Sequence, residues 1–100
     1  MAITGRESVS IEITAIRLQN GHTTHEDVSD IWWRNCNDGH SGRCTVTALV
    51  GWIETGGAAY VPHRAGRRTV WVVEPVAGPK YLRAHDGARL TDDLLALPRR

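Results

Sequence analysis

The sequence predicts an α+β domain: a single helix packed on a mostly antiparallel sheet of about five strands, in the order β-β-α-β-β-β with a short closing turn. Three observations carry that expectation. Near the start, Val9, Ile11, Ile13 and Ala15 alternate with Ser10, Glu12 and Thr14, the period of a strand with one buried face. In the middle, Val46, Leu49, Val50 and Ile53 are spaced by three, four and seven residues, which gathers them on one helical face. From Ala58 onward, short apolar runs are punctuated by Gly and Pro, as in strands joined by turns.

Each element has its own signal. After Ala15 the apolar residues Ile16 and Leu18 change parity, which either a bulge near Thr14-Ala15 or burial of the strand's end on both faces would produce. Asn20-Gly21-His22 reads as the turn that ends it. Val28 to Arg34 is a second strand, antiparallel to the first, with Ile31 and Trp33 on one face and Trp32 on the other. Asn35 to Arg43 is rich in Asn, Asp, Gly, His and Ser and reads as a loop. The helix spans Thr45 to Thr55, with Thr45 as N-cap and Gly56-Gly57 as a left-handed stop. Trp52 falls on its flank, either capping the core edge or partly exposed.

Ala58 to Val61 reads as a short strand stopped by Pro62, and His63 to Arg68 as a basic turn. Val70 to Glu74 follows as a strand, with Val70 and Val72 on one face and Trp71 and Val73 on the other. Pro75 and Ala77-Gly78-Pro79 make a turn, and Lys80 to Ala84 pairs back as the last strand. Thr91, followed by Asp92 and Asp93, can cap a closing segment whose Leu94, Leu95 and Leu97 dock on the core.

With 100 residues, of which 41% are apolar and 23% charged, the chain reads as one domain over 1–100, its core over about 9–98 and residues 1–8 and 99–100 flexible. Such a domain buries roughly 60–70% of its extended surface, enough for one modest core. A net charge of +1 provides no global field toward a polyanion or a membrane. Eleven arginines against one lysine, Lys80, supply planar forks that grip phosphate and stack on rings, although a GC-rich genome produces the same bias. Met1 to Ser10 lacks the apolar run of a signal peptide, and no stretch reaches the ~20 apolar residues of a membrane span. The expected location is the cytoplasm, where Cys36 and Cys44 stay reduced.

Several segments carry a family likeness: Ile13-Thr14-Ala15-Ile16-Arg17, the His-containing turn before an Ile-Trp strand, Trp52-Ile53-Glu54-Thr55-Gly56-Gly57, Lys80 to Gly87, and Thr91 to Pro98. Over about Ile11 to Pro98 the chain resembles the bacterial and phage family catalogued as domain-of-unknown-function family 3892. The resemblance implies a fold and no activity, so it transfers no catalytic role. Asp92-Asp93 stands where the family pattern has Asp-Asn, and both cysteines flank the family's variable loop.

The remaining candidate chemistry is local. Cys36, His40 and Cys44 are evenly spaced, but zinc sites pair cysteines more closely, and a fourth ligand would have to come from His22, His25, His63 or His85. Two free thiols, with neither metal nor disulfide, is the preferred reading. His25-Glu26 and His85-Asp86 are neighbours in sequence, yet adjacent residues on a strand face opposite ways and form no dyad by adjacency. No Gly-x-Ser-x-Gly elbow or glycine-rich phosphate loop occurs.

Four tryptophans and no phenylalanine shift attention to binding. Trp32 and Trp33 are adjacent on a strand, so one faces away from the core unless both faces are covered; Trp71 raises the same question. Arg64, Arg67 and Arg68 form the densest basic cluster, with Arg34 and Arg83 on strands nearby. Guanidiniums beside indole rings suit a nucleotide-like anion. The expectation is a non-catalytic module, without cofactor, that recognises such an anion or a protein through Trp32, Trp33, Arg34, Arg64, Arg67, Arg68, Trp71, Arg83 and His85. A phage protein that sequesters a signalling nucleotide or blocks a host protein is an analogy for it. A homo-oligomer would cover the spare tryptophan surface. The rivals are a nucleic-acid binder using the same residues and a metal-stabilised or hydrolytic domain using Cys36, His40 and Cys44 or His25 and His85.

Overall fold

In the computed structural model, which describes residues 10–19, 24–64, 66–87 and 89–100, the order is β1 (Ser10–Leu18), a 3-10 turn (His25–Asp27), β2 (Val28–Asn35), β3 (Ser41–Thr45), α1 (Val46–Glu54), β4 (Ala58–His63), β5 (Gly66–Val73), β6 (Tyr81–Asp86) and β7 (Arg89–Thr91). The expectations for Val9, for residues 1–8 and for the turn at Asn20-Gly21-His22 fall outside the described residues. All seven strands form one sheet in the order β3-β2-β1-β4-β5-β6-β7.

That sheet corrects the five-strand antiparallel expectation. Two antiparallel meanders, β1-β2-β3 and β4-β5-β6-β7, are joined by a parallel pair in which Ser10, Ile11 and Glu12 match Ala58, Ala59 and Tyr60. Parallel neighbours need a crossover, and α1 supplies it between β3 and β4.

The two additional strands lack the hydropathy alternation that would announce them. In β3, half-buried positions alternate with exposed ones, but those positions are Gly42 and Cys44. The Trp33 ring covers Gly42, its cross-strand partner. The β2-β3 turn is closed by side chains: Asn35 Oδ1 accepts from Asn37 N at 2.7 Å and Asp38 Oδ1 from His40 N at 2.9 Å. Strand β7 has only three residues, and its Leu90 is exposed.

Other boundaries shift for similar reasons. Pro62 does not stop β4; it lies past the last residue paired with β1, where β4 has a free edge that tolerates a missing N–H. The basic segment His63 to Arg68 is mostly strand, since His63 pairs with Gly66, Pro62 with Arg67 and Val61 with Arg68. On β1, Ile13 and Ala15 pair with the consecutive residues Trp33 and Trp32. Thr14 is therefore the extra residue of a bulge, and the parity change after it returns Ile16 to the core.

The helix forms as its pattern requires. Thr45 Oγ1 accepts from Ala48 N at 3.2 Å, and Gly56 adopts φ +115° just beyond the end. Val46, Leu49 and Val50 are buried, and Ile53 and Trp52 pack against the same cluster. That cluster holds Ile11, Ile13, Ile16 and Ile31 from the first meander and Ala59, Val61, Val70, Leu82 and Ala84 from the second. Leu94 and Leu97 of the closing turn complete it.

The last residues pair with β1. Ile16 N donates to Pro98 O and Arg100 N to Ile16 O, both at 2.9 Å, so the tail lies parallel to β1 beyond the point where β4 has left it. Residues 99–100, for which flexibility is expected, carry this pairing.

Candidate functional site

The bulge on β1 decides which side chains share the face turned away from α1. Before it, Glu12 is on that face, matched with Arg34; after it, Ala15 and Arg17 are, matched with Trp32 and Asp30. From the other side β3 matches Arg43 with Trp32. The tail then carries Arg100 to the same place, its main-chain oxygen accepting from Arg17 Nε at 3.1 Å.

Three guanidiniums therefore surround one indole. The carbons of Arg100, Arg17 and Arg43 lie 5.0, 5.3 and 6.0 Å from the Trp32 ring centroid. The ring's negative face attracts each of them, while like charges this close repel one another. Among the described residues the side-chain counter-charge beside these three is Asp30, 4.0 Å from Arg43 Nε. Arg34 lies alongside but is engaged, its Nη2 donating to Glu12 Oε1 at 2.8 Å. An open groove of about 400 Å³ runs along this cluster, its lining including Trp32, Arg34, Arg43, Arg100 and part of Trp33.

The sequence-predicted residues divide into separate groups. Trp32 and Arg34 belong to this groove. Trp33 points to the opposite face and packs on the core. Arg64 follows β4 in the exposed hairpin. Arg67 stacks on Tyr60, 3.8 Å from its centroid. Trp71, 45% exposed, stacks on His85 at 3.3 Å between centroids, and Arg83 is its cross-strand partner. These last lie on β5 and β6, with β1 and β4 between them and Trp32.

Arg68 and Arg83 are occupied in holding the closing turn. Arg68 Nε is 3.3 Å from Asp93 Oδ2, and its Nη1 is 3.2 Å from Asp86 Oδ1. Thr91 Oγ1 donates to Asp93 Oδ2 at 2.7 Å, and His63 Nε2 is 3.8 Å from Asp93 Oδ1. Asp92 makes the matching arrangement with Arg83 Nη2 at 3.0 Å and His25 Nε2 at 3.7 Å. Each of the two consecutive aspartates thus brings together one arginine and one histidine.

His25, with a side chain only 10% exposed, has its pKa lowered first by burial and then by the charge of Arg83, with Asp92 opposing. His85 Nδ1 lies 2.9 Å from Gly87 O, which makes Nδ1 the protonated nitrogen. Cys36 is an exposed free thiol; Cys44 is a free thiol facing inward from β3, its pKa raised by burial and by Asp30. His40 turns to Asp38 at 3.2 Å. Among the described residues no three of His, Cys, Asp and Glu gather as metal ligands, and His22 lies outside them.

Arg17, Arg43 and Arg100 are the site residues that the sequence reading missed. Once the bulge is placed, strand parity alone sets Arg17 beside Trp32. Arg43 was hidden by the loop-like composition of β3, and Arg100 by its terminal position.

A family model described as "Protein of unknown function (DUF3892)" matches residues 12–98. No match was found among curated proteins or among solved structures. Among the described residues no helix is long and apolar enough to cross a membrane.

Proposed function

Since the chain belongs to domain-of-unknown-function family 3892, a membership that brings no activity with it, we propose from the geometry that it is a non-catalytic binding module for an anionic, ring-bearing ligand of the nucleotide class. The observation that carries this reading is the convergence of Arg17, Arg43 and Arg100 on the Trp32 ring. Three guanidiniums against one adjoining carboxylate among the described residues, Asp30, are an electrostatic excess that phosphate oxygens would relieve through paired hydrogen bonds. The indole supplies a stacking surface, and the groove beside it has room for a base and a sugar. The expected setting is the cytoplasm, where such ligands are plentiful and both thiols stay reduced.

Calorimetric titration with ATP, adenosine and pyrophosphate tests the reading. ATP should bind better than either part, because ring and phosphates are recognised together. Arg43→Ala and Arg100→Ala should each weaken ATP by roughly 10- to 100-fold, the loss of a charge-assisted bond of about 1.5–3 kcal/mol. Arg43→Lys should also lose affinity, since an ammonium cannot reproduce the planar fork. ATP heats indistinguishable from buffer would sink the proposal. A single-stranded oligonucleotide that bound far more tightly than ATP, with affinity falling steeply as salt rises, would move the site to the nucleic-acid class.

A further inference from the structure

The second tryptophan of β2, which borders the first groove, also lines a second cavity. On the side facing α1, a half-open pocket of about 290 Å³ is bounded by the rings of Trp33 and Trp52, with Ile11, Cys44 and Leu49 beneath and Asn35 and Ala48 completing its lining. Ile11 and Leu49 are buried core residues, whereas Ala48 is exposed.

Both indoles pack against the core cluster and lie over glycine backbone. A Cβ on Gly42 would fall 2.7 Å from Trp33 Cζ2, and one on Gly57 2.4 Å from Trp52 Cδ2. Any larger residue at either position would push the ring off its place, so the glycines let both rings lie flat against the backbone. The aromatic walls are therefore set before anything binds, and little ordering cost remains for a ligand.

The lining carries no charged side chain, so an ion entering it would lose hydration without compensation. Asn35 Oδ1 already accepts from Asn37 N at 2.7 Å, so the amide's N–H groups are what it has chiefly to offer. An enclosed apolar cavity of about 150 Å³ suffices for one benzene ring, and this half-open one is about twice that size. We infer that it is a second binding site, which shares only Trp33 with the lining of the Trp32 groove, for a small, uncharged, planar aromatic molecule of one or two fused rings bearing a hydrogen-bond acceptor.

The probe is 2-naphthol, titrated into the 15N-labelled full chain. The indole N–H signals of Trp33 and Trp52 should move saturably while those of Trp32 and Trp71 stay in place. Ala48→Leu, which adds volume at an exposed, helix-compatible position, should weaken the probe by roughly tenfold or more without lowering the melting temperature. Because Cys44 lies in the same pocket, bound 2-naphthol should also slow its alkylation by iodoacetamide in the unmodified chain. That readout needs no variant to fold. Equal shifts of all four indoles, a shift confined to Trp32, an affinity unchanged by Ala48→Leu, or Cys44 alkylation unaffected at saturation would each overturn the assignment.

Discussion

Replacing Gly57 by Ala should destabilise the fold through a single contact, and a second substitution should remove the effect. Gly57 does not share the left-handed backbone of its neighbour Gly56, so alanine is conformationally allowed there. The obstacle is the Trp52 ring, 2.4 Å from the position of the added Cβ. Since carbon atoms pack at roughly 3.5–4.0 Å, the ring must retreat by about 1 Å or more. Trp52 packs against the core cluster, and forcing such a ring aside costs about 1–3 kcal/mol. In a Trp52→Ala background the obstruction is gone. There Gly57→Ala should instead stabilise by about 0.4–1 kcal/mol, by restricting the unfolded chain. The two changes should therefore couple by about 1.5–4 kcal/mol. Urea unfolding of the four proteins, followed by far-ultraviolet circular dichroism so that the lost tryptophan does not distort the signal, measures the cycle. If Gly57→Ala costs the same in both backgrounds, or is harmless alone, the account of Trp52 seated on Gly57 is wrong.

Leu49→Ala, in the buried face of α1, should cost about 2–5 kcal/mol and lower the melting temperature by roughly 10–30 °C; an unchanged melt would remove Leu49 from the core. His25 gives a pH dependence of definite sign. Its folded pKa is depressed below the ordinary 6.5 by burial, so its contribution is fully present above that value and is lost as pH falls through the folded pKa. His25→Gln should flatten this part of the urea-midpoint profile between about pH 7.5 and about pH 5; identical profiles for both proteins would contradict it. Finally, Trp71 and Leu90, 45% and 40% exposed on the face turned away from α1, support self-association. Light scattering should give at least twice the 11.1 kDa chain mass, and a monomer at high concentration would exclude it.

Sequence alone revealed whatever depends on local periodicity or capping. The helix was legible because Val46, Leu49, Val50 and Ile53 fit one face and Thr45 and Gly56 mark its ends. The bulge at Thr14 was legible as a parity change, one of two explanations for it, and the register settles between them. What stayed hidden depends on partners distant in the chain. Strand β3 turns Gly42 and Cys44 inward, and glycine's apolar cover comes from Trp33 on the neighbouring strand, so no alternation appears in its own sequence. The parallel β1-β4 pair has no local signature, because either strand could as well have paired antiparallel. The candidate surface was only half legible for the same reason. Trp32 and Arg34 were found by residue type, but the expected Trp/Arg face merged residues of β2 with those of β5 and β6, which the sheet order keeps apart. Arg68 and Arg83, taken for ligand contacts, are engaged by Asp93 and Asp92.

The central claim, that Trp32 and its three arginines form a site for a nucleotide-like anion, is tested most directly by the indole N–H signals of the four tryptophans. With Trp32 assigned through Trp32→Phe, ATP added to the 15N-labelled chain should shift the Trp32 signal saturably and leave Trp71 unmoved. If Trp32 stays in place, or Trp71 responds first, the ligand site is not where Arg17, Arg43 and Arg100 converge.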